Sequence, residues 1–506
     1  MKEQKNKLIL VTGATGYVGG RLVPRLLEAG HRVRLLVRGG TQRLAGRPWQ
    51  DEVEIIEGDV LKPDTLPPAL ANVDAAYYLI HSMGGSEKFR QRDHDAACNF
   101  SEAAAAAGVE QIIYLGGLGG KDQELSEHLQ SRQETGVALR SGGVPVTEFR
   151  AGMVVGSGSL SFEMLRSLVE RIPVMICPKW AFNKTQPIAI RDVLSYLLAA
   201  LETPESKGRI IEIGGPTMLT YADIFRRYAK IRNLPRFIIP VPVLSPFLSS
   251  YWVHWMTPVP VTIARPLIEG LLNDLVVTED DAHELFPAIK PIAYETAVEL
   301  AAKRVDANDI ETVWSDARSS SRGDLPPVYL SQEQGMLFER RERLVDAPEK
   351  TVFEVFAGIG GRRGWPSYNW LWEIRGILDR AVGGPGMRRG RRHPDKLRVG
   401  DALDFWRVEA VEPNELILLH AEMKLPGHGW LRFRATPDAE SGKTKLVQTA
   451  FFEPHGLLGL LYWYSVYPMH GFVFSSMIES LCHQAETRAQ RSAATSPNSQ
   501  LTAETG

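Results

Sequence analysis

Residues 8–20 read Leu8-Ile9-Leu10-Val11-Thr12-Gly13-Ala14-Thr15-Gly16-Tyr17-Val18-Gly19-Gly20, and the fold turns on this stretch. The apolar run Leu8 to Val11 predicts a short strand buried on both faces, the habit of parallel sheets. Glycines then recur at 13, 16 and 19, and Leu22, Leu26 and Leu27 continue at helical spacing. Gly13 suits a sharp exit from the strand. Gly16 lets a pyrophosphate approach the main chain, and Gly19 lets the helix pack close to the strand. The first N–H groups of the new helix, at the positive end of its dipole, favour an anion. A lone glycine pattern is weak evidence, but strand–turn–helix context makes it a dinucleotide site rather than an ordinary turn. The expected coenzyme contacts here are Gly13, Ala14, Thr15, Gly16, Tyr17, Val18 and Gly19.

The next strand, Arg32–Val37, ends at Arg38, where a carboxylate would receive the ribose 2′-hydroxyl of NAD. A guanidinium there pairs instead with a 2′-phosphate, so NADP(H) is expected in preference to NAD(H), with Arg43 assisting. Residues 53–56 read as a third strand. Asp59 after it can accept from the adenine amino group, with Val60 against the ring face. A plain turn aspartate is the alternative. A fourth strand over 75–80 delivers Ile80, His81 and Ser82 to a loop expected to run along the coenzyme. His81 reads equally well as a cap of the following helix.

Residues 93–107 are helical and stop at Gly108. Residues 111–115 form a fifth strand leading into Gly116-Gly117. A helix over 126–140 sets His128 and Arg132 on one face. Residues 146–149 form a sixth strand, followed by Arg150. Alternating strands and helices predict an α/β chain with a Rossmann-type doubly wound parallel sheet.

The TGxxGxxG turn, the Gly58-Asp59-Val60 run, and Arg150 followed by Gly152, Val154 and Gly156 resemble the atypical short-chain dehydrogenase/reductase superfamily. The resemblance covers residues 6–310 and is nearest the NmrA-like, NAD(P)H-binding and nucleoside-diphosphate-sugar-epimerase-like branch. It implies an oxidoreductase with a Ser after the fifth strand and a Tyr and Lys four apart on the next helix. This chain departs at all three positions. The serine's place falls in Gly116-Gly117, the tyrosine's at His128 and the lysine's at Arg132. Arg132 can bond ribose hydroxyls but does not titrate. His128, the candidate catalytic residue, can exchange a proton near neutral pH. A surface helix histidine is the alternative. The degraded set also fits a non-catalytic redox sensor.

Residues 151–310 are expected to build the substrate lobe. Ser161–Arg171 predicts a helix carrying Phe162, Leu165 and Leu168, and Asp192 is expected to cap a helix. Residues 234–268 are rich in proline and aromatics, among them Pro240, Pro242, Pro246, Phe247, Tyr251, Trp252, Trp255, Pro258 and Pro260. They suit an apolar substrate channel, a membrane-facing edge or a domain interface.

Residues 311–334 read as a polar linker. Beyond them a strand, a helix, several half-buried strands and a long closing helix follow in the order of an α+β helix-grip fold. Residues 335–490 resemble the START-like (SRPBCC) superfamily, in a family of unknown function. The resemblance implies an apolar cavity, which Trp365, Trp370, Trp372, Trp406 and Trp430 suit as lining. Core tryptophans are the alternative. Residues 491–506 are expected to be a disordered tail. No Asp, Glu, Lys or Arg lies between Glu453 and Glu479. Length would permit a membrane span over 457–477, but Pro468, His455 and His470 argue instead for peripheral contact through Trp463, Tyr464 and Tyr467. Met387–Arg398 is a basic loop, suited to an acidic headgroup or simply solvated.

The 506 residues carry a formal charge of −2, which gives no general attraction to nucleic acid. The three cysteines, far apart, suit a reducing compartment without a disulfide framework or metal site. The N-terminus lacks the pattern of a signal peptide, so a cytoplasmic location is expected, with membrane association as a variant. An apolar small molecule is the expected ligand.

Overall fold

The computed structural model describes residues 6–38, 44, 47–80, 87–119, 125–241, 261–306, 337–438, 441–454 and 456–494. His81, Ser82, Arg43, the 311–334 linker and most of the proline-rich stretch, from Pro242 to Pro260, lie outside them. The chain divides into two compact units, Met1–Pro326 and Pro327–Gly506.

The first unit opens with strands β1 (Leu8–Thr12), β2 (Arg32–Val37), β3 (Glu54–Glu57), β4 (Ala75–Tyr78), β5 (Gln111–Gly117) and β6 (Val146–Ala151). Helices α1 (Gly19–Glu28), α2 (Pro67–Leu70), α3 (Glu87–Ala106) and α4 (Glu127–Ser141) alternate with them. Shorter strands β7 (Val154–Val155), β8 (Val174–Pro178), β9 (Lys184–Thr185), β10 (Ile188–Ala189), β11 (Ile210–Ile213), β12 (Leu219–Thr220) and β13 (Phe237–Val241) follow. Among them run α5 (Leu160–Arg171), α6 (Ile190–Ala199) and α7 (Tyr221–Ile231), then α8 (Val261–Gly270), α9 (Asp281–Leu285) and α10 (Tyr294–Asp306).

Seven strands make one parallel sheet in the order β11-β6-β5-β4-β1-β2-β3. The direction of winding reverses between β1 and β4, which opens a crevice at their carboxyl ends. Every residue of β1 is buried. Ile9 and Val11 join one core with Leu22, Leu26 and Leu35, while Leu8 and Leu10 join another with Ala97 and Phe100. Burial on both faces is why β1 is apolar throughout.

Glu148 of β6 is fully buried and pairs with Arg150 at 2.7 Å and with Arg140 of α4. A Cβ on Gly136 of α4 would lie 2.4 Å from the Glu148 carboxylate. Gly136 therefore lets α4, the helix bearing His128 and Arg132, seat on that charge. Asp192 is not a cap: Ala189 holds the N-cap position of α6. Asp192 is buried within the first turn and accepts the Ile292 N–H at 2.9 Å. Burial raises its pKa, and that hydrogen bond opposes the rise.

The second unit holds β14 (Leu337–Val345), β15 (Ala402–Leu403), β16 (Trp406–Glu412), β17 (Leu416–Ala421), β18 (Gly427–Pro437) and β19 (Thr444–Pro454). Its helices include α11 (Glu349–Ala357), α12 (Asn369–Ala381) and α13 (Gly456–Ala494). The sheet is antiparallel, ordered β14-β19-β18-β17-β16-β15. Val473, Phe474, Met477, Ile478, Leu481 and Ala485 of α13 share one core with Leu419, Leu431 and Phe433 of the sheet. Their spacing draws a single helical stripe.

The tryptophans do not act as one set. Trp365, Trp372 and Trp406 belong with this core, whereas Trp430 packs with Leu416, Leu418 and Phe451 in a separate cluster. Trp370 is exposed. Strand alternation accounts for Trp430, since its neighbour Leu431 points to α13. Trp463 is buried and stacks on Phe452 at 5.6 Å, so it is not an interfacial residue. Tyr464 and Tyr467 are exposed. Among the described residues, no helix is long and apolar enough to cross a membrane.

Candidate functional site

The glycine turn has the geometry that a phosphate cradle needs. Gly13 has φ +71°, and a Cβ there would come 2.6 Å from Leu79 O. Gly16 N–H closes the turn onto Gly13 O at 2.9 Å. A Cβ on Gly19 would stand 2.3 Å from Gly13 O. No side chain caps the start of α1, and no acidic residue lies in its first turn. The amino end of the helix therefore keeps its positive character.

A cavity of about 330 Å³ begins at this turn. It is lined by Gly13, Gly16, Tyr17, Val18, Gly19 and Ile80, then by Gly116, Gly117, His128 and Arg132. It continues into an apolar half that includes Leu165, Leu168, Trp180, Ile224, Phe225 and Leu271. Ala14 and Thr15, Arg38, Asp59 and Val60 are not among its lining. Ala14 is buried in the core, and Val60 packs beneath the sheet while its carbonyl accepts from Asn99. Arg38 and Asp59 stand together at the ends of β2 and β3, 3.8 Å apart.

His128 and Arg132 share one face of α4, as their spacing predicts. Ser126 caps the helix by accepting the Leu129 N–H at 3.4 Å. The Arg132 guanidinium donates to Leu115 O at the end of β5, and Tyr114 O–H donates to Arg132 O at 2.9 Å. Arg132 Nε is buried with no hydrogen-bond partner among the described residues. An orphaned donor beside a glycine cradle fits a coenzyme, whose ribose hydroxyl would satisfy it.

Burial, with the Arg132 charge beside it, pushes the His128 pKa down to about 4. This corrects the expectation of a proton exchanged near neutral pH: the imidazole is neutral there. It can still donate one N–H hydrogen bond. At the serine's place, Gly116-Gly117 offers only main chain.

Of the helix predicted over 161–171, Leu165 and Leu168 face the cavity, while Phe162 packs edge-on against Tyr228. The proline-rich stretch contributes Leu267 and Ile268. Sequence reading missed Trp180, Tyr221 and Phe225. The spacing of Tyr221, Ile224, Phe225 and Tyr228 was the available signal, a helical stripe next to the Thr220–Asp223 capping box. Among the described residues, no group of three or more His, Cys, Asp or Glu could hold a metal ion. The three cysteines are free thiols.

Comparison with known proteins follows the same division. Residues 13–141 match the NAD(P)H-binding family model, and residues 335–477 match a protein family of unknown function, DUF2867. The chain is 26% identical over 295 residues to the photosystem II assembly factor Ycf39 of Trieres chinensis, covering 55% of this chain and 86% of that protein. It is 29% identical over 308 residues to a ceramide reductase of Caulobacter vibrioides, covering 54% of this chain and 93% of that one. The NADP(H) complex of a Citrobacter triphenylmethane reductase aligns with a TM-score of 0.48 at 19% identity, covering 58% of this chain and 99% of that one. The family match over the glycine turn makes residues 13–141 an NAD(P)H-binding segment, and the likenesses in sequence extend to the assembly factor and the reductase over most of the first unit.

Proposed function

We propose that this protein is an NADP(H)-dependent oxidoreductase acting on an apolar small molecule. One observation carries the reading: a single cavity joins the glycine turn to an apolar chamber, with His128 and Arg132 where the two halves meet. NADP(H), when bound, supplies or accepts the hydride. The turn from Gly13 to Gly19 would hold the pyrophosphate, and Arg38 a 2′-phosphate. Arg132 Nε would bond a ribose hydroxyl and so orient the nicotinamide end. Neutral His128 would donate its N–H to the substrate oxygen and polarise the carbonyl, a role open to an imidazole that carries no charge. The apolar wall would exclude water from the reacting carbon.

The test is oxidation of NADPH, followed by absorbance, on adding a panel of apolar ketones and aldehydes. Turnover that His128→Ala lowers at least about tenfold supports the enzyme. Tight NADPH binding without any turnover favours the second reading, a redox sensor. The bare main chain at Gly116-Gly117 supports that alternative, because no hydroxyl stands in the serine's place.

For the second unit we propose a START-like holder of an apolar ligand. Its support is the antiparallel sheet packed on α13. Peripheral contact with a lipid surface is part of the same reading. Trp370, Ile374, Ile377 and Leu378 expose one stripe of α12, and Leu458, Leu461, Tyr464 and Phe472 are exposed on α13.

A further inference from the structure

Two buried hydroxyl groups in the first unit neighbour each other and engage no third polar group among the described residues. Tyr221 O–H and Thr185 Oγ1 are both buried, and neither makes a well-aligned hydrogen bond among the described residues. Folded chains rarely leave such groups unmatched, because each gave up its water to be buried. Tyr221 lines the cavity. Thr185 Oγ1 lies behind Gly152, a residue of the cavity wall, 3.6 Å from where a Cβ on that glycine would stand, and Thr185 itself does not line the cavity.

The pair is held rigidly. Thr185 faces Leu219 across the β9–β12 ladder, and the Leu275 N–H bonds to Lys184 O next door at 2.8 Å. Tyr221 opens α7 inside the Thr220–Asp223 capping box. Thr185 is the hydroxyl that interacts with the phenol and eases its charging, at a geometry too poor for a full hydrogen bond. Burial and the nearby Asp274 charge keep the phenol protonated. Ser159, by contrast, is already engaged, donating to Val154 O at 3.0 Å and accepting from Phe162 N–H at 3.1 Å.

We infer that Tyr221 and Thr185 form a subsite that reads one uncharged oxygen, a ketone, alcohol or ester, on an otherwise apolar ligand. The ligand's body would lie against Leu168, Trp180 and Phe225, and its oxygen would meet the Tyr221 hydroxyl, which Thr185 backs from behind Gly152. A carboxylate is disfavoured by the dry wall and by Asp274. The inference rests on reading the apolar half of the cavity as the substrate chamber.

The experiment uses the full chain and two probes of one shape, 2-acetylnaphthalene and 2-ethylnaphthalene. Binding is followed by quenching of tryptophan emission, with Tyr221→Phe and Thr185→Val as variants. The wild type should bind the ketone about tenfold tighter than the hydrocarbon. Either variant should cut that preference to within about twofold while leaving hydrocarbon affinity unchanged. Melting of the ligand-free Tyr221→Phe protein should be unchanged or raised, since an unpaired hydroxyl has been removed. A preference that survives in both variants, a wild type with none, or a clear fall in melting temperature on losing the phenol would each overturn the subsite. Calorimetry with NADPH runs alongside. Absence of coenzyme binding would end the oxidoreductase reading, whereas the ketone preference would still judge the subsite.

Discussion

The Arg38 guanidinium lies 3.8 Å from the Asp59 carboxylate, each at the end of its own strand in the coenzyme-binding sheet. That is ion-pair range but beyond a hydrogen bond. Asp59 also accepts the Leu61 N–H at 3.1 Å, which anchors the carboxylate. The pairing keeps a cation at the position where a carboxylate would select NAD. Arg38→Ala is expected to weaken NADPH binding by about tenfold to a hundredfold, the worth of a charge-assisted hydrogen bond. NADH binding should change by less than about threefold. Calorimetric titration of both coenzymes decides it, and equal losses for the two would remove Arg38 from the 2′ position.

Gly19 has no room for a side chain, because its Cβ would meet the main-chain oxygen of Gly13 at 2.3 Å. Gly19→Ala must move the turn or the helix. A loss of about 1–3 kcal/mol in urea unfolding is expected, with NADPH affinity down more than about tenfold. A variant with parental stability and affinity would contradict the close packing.

His128 makes stability pH-dependent. Its pKa is about 4 in the fold and near 6.5 unfolded, so the unfolded chain binds the extra proton between those values. The stabilisation is complete above pH 6.5 and is lost as pH falls toward 4. His128→Asn should flatten the melting profile across that window by on the order of 2 kcal/mol. A profile as steep as the parent's would show that His128 is not buried uncharged.

Asp404 works in the opposite sense. Burial lifts its pKa to about 6, although Gly361 N–H and Trp365 Nε1–H both donate to it. The penalty is absent below pH 3.8, grows toward pH 6 and is full above that. Asp404→Asn keeps an acceptor and suits the left-handed φ of +53°. It should raise the melting temperature at pH 7.5 and not at pH 4. A gain of equal size at both would point to packing instead.

The exposed stripes on α12 and α13 give a third kind of test. Vesicles of phosphatidylcholine with phosphatidylglycerol should carry the protein down on centrifugation. Leu378→Glu with Phe472→Glu should release most of it. Wild-type protein left wholly in the supernatant would remove the lipid surface from the proposal.

The phosphate cradle was legible in sequence because one short stretch performs all its tasks: strand, turn and helix lie within Leu8 to Leu27. His128 and Arg132 were legible for the same reason, since four residues make one turn of α4. The apolar chamber was not. Leu165, Trp180, Phe225 and Leu271 come from four separate segments, and only the completed tertiary packing makes them neighbours. The protonation state of His128 escaped the sequence too, because desolvation depends on that packing. Trp430 misled because tryptophan reports burial and not which face of a sheet is buried.

Gly117 carries a consequence for any attempt to restore a conventional reductase centre. A Cβ placed there would press on Leu129 Cδ2 at 3.0 Å and Arg132 Cδ at 3.4 Å. The tight neighbour is Leu129, while the Arg132 stem stands at ordinary contact distance, so the bare glycine is matched to the leucine of α4. A serine could return at 117 only if the Leu129 side chain yielded by a few tenths of an ångström, so restoring that hydroxyl is coupled to the packing of α4 and is not an isolated point change.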